Sequence, residues 1–287
     1  MIRTVKDIVE AFDAGWVHSQ RFFKNLGTTG DGQWHDWSFA SGQPAYDARI
    51  GDALTFTPAI AAGNDAVFFP AKASDQERVI LTLDVVTTPS GTGQTNVEFV
   101  LCDVLGWYPL IDGDSTDTQA LDTLVSLPRY DGAQMVLVNH VAPALVASDM
   151  IVTYENQSGG TSVVTWRTVP NGQNKVSYTT ALNGTSGPLF CQLAPGDTDA
   201  RRVIDVTFPT APGGLWAIYM VKPLTTFANR GGSPLITTTV ADEHHFSFQN
   251  AFNLPRVKDG AWLGMFFMPN GAGRQVALHG NITFAWG

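Results

Sequence analysis

The residues best placed to do chemistry are carboxylates. Asp112-Gly113-Asp114-Ser115-Thr116-Asp117 sets three of them within six positions. Asp112, Asp114 and Asp117 together offer the hard oxygen ligands that a calcium ion takes. The stretch lacks the fixed Gly and the distal bidentate Glu of a helix–loop–helix calcium loop. Asx turns that merely order a loop use the same residue types. Asp242-Glu243-His244-His245 is a second cluster, but adjacent histidines on a strand point to opposite faces, which works against shared chelation of a metal. Cys102 sits in VEFVLCDV and Cys191 in PLFCQL, apolar strand contexts in which a thiol packs rather than reacts. There is no G-x-S-x-G, no H-E-x-x-H and no Gly-rich loop between a strand and a helix, so no nucleophile or phosphate cradle stands out. These residues predict a chain that is not an enzyme and takes no cofactor.

Aromatic residues offer a different chemistry. Eight tryptophans, among them Trp34, Trp37, Trp107, Trp166, Trp216 and Trp262, are the type that lines sugar-binding grooves. Trp37 and Trp166 fall at similar places in the two halves of the chain, and Trp216 lies inside an apolar strand, which favours a place in the core.

The elements that must position these residues are mostly strands. The chain has 287 residues, 44% of them hydrophobic, with 28 Gly and 16 Pro. Only 15% are charged, against roughly 25% in an ordinary soluble domain. Runs such as RVILTLDVV (78–86), VEFVL (97–101), MIVTY (150–154), WAIYMV (216–221) and NITFAW (281–286) alternate with Gly/Pro/Asn turns. That pattern predicts antiparallel β-sandwiches of the jelly-roll kind. One helix is predicted at the N-terminus: Val5, Ile8, Val9, Phe12 and Trp16 share a face at helical spacing, with Thr4 as cap and Asp7 as its reciprocal partner. This apolar face reads either as packing on its own domain or as a contact with a neighbouring subunit.

The chain is internally repeated. Leu127-Pro128-Arg129-Tyr130-Asp131-Gly132-Ala133 recurs as Leu254-Pro255-Arg256-Val257-Lys258-Asp259-Gly260-Ala261, and Arg78-Val79-Ile80 recurs as Arg202-Val203-Ile204, at offsets of 127 and 124. The expected organisation is an N-terminal helix and arm (1–29) followed by two tandem β-sandwich domains, 30–157 and 158–287. Residues 1–157 carry 8 basic and 20 acidic side chains, and residues 158–287 carry 9 and 6. Nets of −12 and +3 would suit copies that associate with unlike ends together.

The formal charge of −9 opposes approach to phosphate backbones and anionic lipid. Asp7, Glu10 and Asp13 interrupt any leader-like stretch, and the longest apolar run, Ala261–Pro269, is far short of the ~20 residues that span a bilayer. Neither nucleic acid nor membrane is an expected partner. The strings CDVLGWYPLIDGDSTDTQALDTLVSLPRYDGAQM (102–135) and WHDWSFASGQPAYDARIGDALTF (34–56) resemble a family of virion structural proteins of tailed bacteriophages. The resemblance implies a particle component without enzymatic activity, made in the host bacterial cytoplasm and resident in the virion. The expected role is a capsid decoration (cement) protein, homo-oligomeric and bound to the major capsid protein. The alternatives are a tail, baseplate or jelly-roll shell subunit, or a carbohydrate-binding module for host surface glycans.

Overall fold

Thr4 starts the N-terminal helix as its spacing implies. In the computed structural model, α1 runs Val5–Asp13, the Thr4 hydroxyl accepts from the Asp7 amide at 3.2 Å, and the Asp7 carboxylate accepts from the amides of Thr4 (2.8 Å) and Arg3 (2.7 Å). Gly15, at φ 71°, turns the chain off the helix. The residues described are 2–29, 33–45, 54–59, 72–73, 76–89, 96–121, 127–141, 147–168, 178–179, 188–229, 243–244, 254–270 and 274–287.

Beyond α1 the described residues are mostly strand. Ten long strands follow: β1 (Val17–Thr29), β2 (Arg78–Pro89), β3 (Asn96–Asp112), β4 (Gln134–Val141), β5 (Ser148–Asn156), β6 (Thr161–Thr168), β7 (Ala200–Thr207), β8 (Leu215–Asn229), β9 (Leu263–Asn270) and β10 (Arg274–Trp286). They build three antiparallel sheets. A central sheet has the order β9-β3-β8-β4, with the short strand His35–Asp36 outside β9. The first flank sheet reads Glu243–His244, β2, β10, β1, Ser41–Gln43. The second reads Gln119–Ala120, β7, β5, β6, Tyr178–Thr179.

The flank sheets match position by position when β1 to β5 are exchanged for β6 to β10, and the central sheet maps onto itself reversed. This is the duplication expressed in three dimensions. The copies are interleaved. All seven ladders among the long strands (β1–β10, β2–β10, β3–β8, β3–β9, β4–β8, β5–β6, β5–β7) join a strand of 17–156 to a strand of 161–286. The boundary at 157/158 falls inside the tight turn between β5 and β6, and residues 17–29, read from sequence as an arm, are a full strand paired to the C-terminal one.

Alternation along the strands fills the cores. Val97, Phe99 and Leu101 of β3 face the first flank sheet, together with Ile80, Leu83, Phe284 and Trp37. Further along the same face, Leu105 packs towards the second flank sheet with Met150, Val152, Val203 and Trp166. The opposite face of the central sheet carries Val100, Cys102, Val104 and Trp107 under Trp34, Ala59 and Leu189. Gly106 admits the crossing segment at Thr57, since a Cβ there would stand 2.5 Å from the Thr57 carbonyl oxygen.

Because no two long strands of one half pair with each other, cutting the chain should not separate it. A protease site placed in the Gln157–Gly160 turn and then cleaved should give two fragments that co-elute under native conditions. They should part only in denaturant. Fragments that separate in buffer and keep their β circular-dichroism signal would contradict the interleaving.

Candidate functional site

Surface features point to α1. Ile8 and Ala11 turn inward, at 4% and 1% exposure, onto Val79, Leu81 and Ala285 of the first flank sheet. Val5 (61%), Val9 (52%), Phe12 (52%) and Trp16 (41%) remain exposed. The sequence placed Val5, Ile8, Val9, Phe12 and Trp16 on one helix face; the structure ends α1 at Asp13, leaving Trp16 beyond it, and divides the rest. The helix docks through the flank where Ala11 sits, because a methyl side chain lets the helix axis lie close to the sheet. The main apolar stripe is thereby rotated roughly a quarter-turn away from the core. These four residues are a majority of the seven large apolar side chains exposed among the described residues. Lys6 and Glu10 form a solvent-exposed ion pair beside them at 3.5 Å.

A second constellation, internal this time, was not read from the sequence. Asp103 is fully buried on β3, at the position between Leu101 and Leu105, where the two flank cores adjoin. Arg129 grips it with two bonds, Nε to Oδ2 at 3.0 Å and Nη2 to Oδ1 at 2.8 Å. Two further guanidinium protons go to the carbonyls of Ala59 (2.8 Å) and Val104 (2.9 Å), and the Trp262 amide donates to Asp103 Oδ1 at 3.0 Å. Burial pushes the Asp103 carboxyl above its usual range, with Arg129 opposing the shift. Lys258 Nζ donates to the Arg129 carbonyl at 2.8 Å and lies 4.6 Å from the centre of the Tyr130 ring. Burial, then the Asp103 charge, pushes the Tyr130 hydroxyl up to about 12. Arg129 holds φ at 69°, a strained value for a non-glycine residue. The two copies of the Leu-Pro-Arg motif thus meet at one seam. Their arginines do different work: Arg256, the counterpart of Arg129, pairs with Glu77 near the surface. The signal for this site was present, since Asp103 is the lone charge in an otherwise apolar run and a carboxylate so placed needs a cationic partner.

The acidic loop is ordered by itself. Asp112 Oδ1 accepts from the Asp114 amide at 2.8 Å, Ser115 Oγ from the Asp117 amide at 3.2 Å, and the Gln119 side chain bonds both backbone groups of Asp112. Among the described residues no group of three His, Cys, Asp or Glu side chains is arranged to hold a metal ion, and Asp112, Asp114 and Asp117 are not drawn together. Glu243 and His244 lie on a short strand against β2, while Asp242 and His245 fall outside the described residues. Six tryptophans (34, 37, 107, 166, 216 and 286) are buried, so an aromatic sugar platform is not assembled from them. Cys102 and Cys191 are both buried, and burial raises the Cys191 thiol well above its ordinary value. Among the described residues no helix is long and apolar enough to cross a membrane.

No protein-family model matches the chain. No curated protein is similar to it at a significant level. Solved structures with a weak likeness come from infectious bursal disease virus. The virus-derived T=1 particle aligns with 11% identity and a TM-score of 0.20 over 94% of this chain and 77% of that one. The VP2 subviral particle aligns with 11% identity and a TM-score of 0.19 over 94% and 80%. Likeness of that depth decides neither fold nor role.

Removing one partner of the seam pair strands a buried charge, so Asp103→Ala or Arg129→Ala should each cost about 3–5 kcal/mol. The check is a lowered urea midpoint at unchanged slope. Hydrogen bonds from the Arg3 and Thr4 amides hold the Asp7 carboxyl below its ordinary value of 3.8. Its capping contribution should therefore be complete above that pH and fade as pH falls through the lower folded value. Thr4→Ala should remove about 1 kcal/mol from the helix at neutral pH. Helix-resolved amide exchange would read both effects.

Proposed function

We propose that the protein is a non-enzymatic structural component of a virus particle, and in finer terms a bacteriophage capsid decoration protein. In this reading it is made in the host cytoplasm and seats on the major capsid protein in many copies. It uses no cofactor, nucleic acid or membrane. The observation that carries the reading is the position of α1. The helix has no counterpart among the duplicated strands, yet among the described residues it and Trp16 just beyond it hold the main concentration of exposed apolar side chains. An element added to a self-sufficient scaffold, with Val5, Val9, Phe12 and Trp16 left facing water, is suited to a partner that covers them.

The interleaved scaffold suits such a role physically. A decoration protein gains nothing from a mobile lid or a strained pocket, and it must persist on a particle exposed to varied surroundings. Sheets that can come apart only together meet that demand. Binding energy then comes from a small apolar anchor with a polar surround.

The test is co-sedimentation with phage heads that lack the protein. Wild-type chain should pellet with them. Val9→Glu/Phe12→Glu should bind at least about tenfold more weakly, a loss of roughly 1.4 kcal/mol or more, with unaltered circular dichroism because both side chains are already exposed. Wild-type protein that ignores heads and binds isolated tails would move it to the tail. Protein that binds neither would end the virion reading.

A further inference from the structure

The seven interleaved ladders carry an inference independent of any virion role. Within 17–156 no two long strands pair with each other, and the same holds within 161–286. Each strand set therefore presents its backbone donors and acceptors, and its half of each core, to the other set. The complement it fits is a β1–β5 set for β6–β10, whichever chain supplies it. We propose that two copies of this protein exchange strand sets, β1–β5 of one closing on β6–β10 of the other, with Gln157–Gly160 as the hinge.

The hinge has the construction such an exchange needs. β5 and β6 are joined only by Gln157, Ser158, Gly159 and Gly160, and Gly159 sits at φ 82°. The closed turn is held mainly by its own backbone, with the Gln157 side chain also bonded to Gly196 and Thr198. The Asn156 amide donates to the Gly160 carbonyl at 2.8 Å and the Gly159 amide to the Asn156 carbonyl at 2.9 Å, while Asn156 Oδ1 accepts from Ser158 and Gly160. None of these bonds belongs to a core. At the other junction the copies are not covalently joined: the Trp286 amide donates to the Trp16 carbonyl at 3.1 Å, and Gly287 and Glu77 exchange backbone bonds at 3.2 Å. The turn is thus the one covalent link between the two strand sets, so once the ladders part, opening it lets a whole set close on another copy without breaking the chain. The closed single-chain form prevails in dilute solution because the short turn holds the sets at an effective concentration on the order of millimolar. Exchange becomes competitive when chains fold at high local concentration, or when the turn is prevented from forming.

Two experiments on the full-length chain test this. Deleting Gln157, Ser158 and Gly159 leaves β5 and β6 unable to reverse direction, so the variant should elute at twice the monomer mass with the wild-type circular-dichroism spectrum. A folded monomer would overturn the proposal. In the second, two differently tagged wild-type chains are unfolded and refolded together. They should yield a dimer carrying both tags, in a proportion that rises with protein concentration. Co-refolding that never yields the doubly tagged dimer would overturn the proposal, and so would equal amounts of it on mixing already folded chains, which would mark ordinary surface association. If the deletion variant does not fold, co-refolding decides alone.

Discussion

Backbone pairing across the two halves is the constraint on which everything else in this molecule depends. A strand buried on one or both faces must find ladder partners for its amides and carbonyls. Here every long strand finds them in the other copy of the repeat. Neither half can place its apolar face before the other arrives, so the three cores are joint products. The flank sheets do not stabilise the central sheet from outside; in both halves the chain passes between flank and central strands.

That constraint creates a seam, and the seam explains the most costly group in the fold. Where the two flank cores adjoin on one face of β3, Leu101 and Leu105 serve opposite sides and Asp103 stands between them. A carboxylate in that position would be prohibitive alone. Arg129 meets it with a planar fork, two backbone carbonyls accept two further protons, and Lys258 reaches over from the second motif copy. A buried pair of this kind is weak evidence for added stability but good evidence for a fixed arrangement, because slipped registers would leave both charges unpaired. Strain at Arg129 is the cost of aiming the fork.

Much of this was legible in the sequence, and the gaps have physical reasons. The capping box at Thr4 and Asp7, the helix it opens and the all-β character of the rest follow from local spacing, which local hydrogen bonds obey. The duplication was visible in the Leu-Pro-Arg motif and the Arg-Val-Ile match. Interleaving was not, because repeated segments say which strands are equivalent and not which are neighbours; alternation of side chains looks the same either way. Ile8 was grouped with Val5 and Phe12 on periodicity, but Ala11, too small to weigh in an apolar pattern, decided which flank of the helix docks. In the stretch from Asp112 to Asp117, the Asp112 carboxylate accepts from the Asp114 amide and the Asp117 amide donates to the Ser115 hydroxyl, so the loop's order is local. Asp103, the residue that mattered, was a single charge in an apolar run and carried no motif.

The tight turn between β5 and β6 has a kinetic side as well. Among the long strands it closes the one ladder between chain neighbours; its equivalent, β1 with β10, joins the two ends. Loop-closure entropy is smallest for the first and largest for the second. The second flank sheet therefore has a cheap nucleus, while the first must wait for nearly the whole polypeptide. Two sheets alike in their final order are thus unlike in their histories, and the N-terminal helix sits on the one completed last.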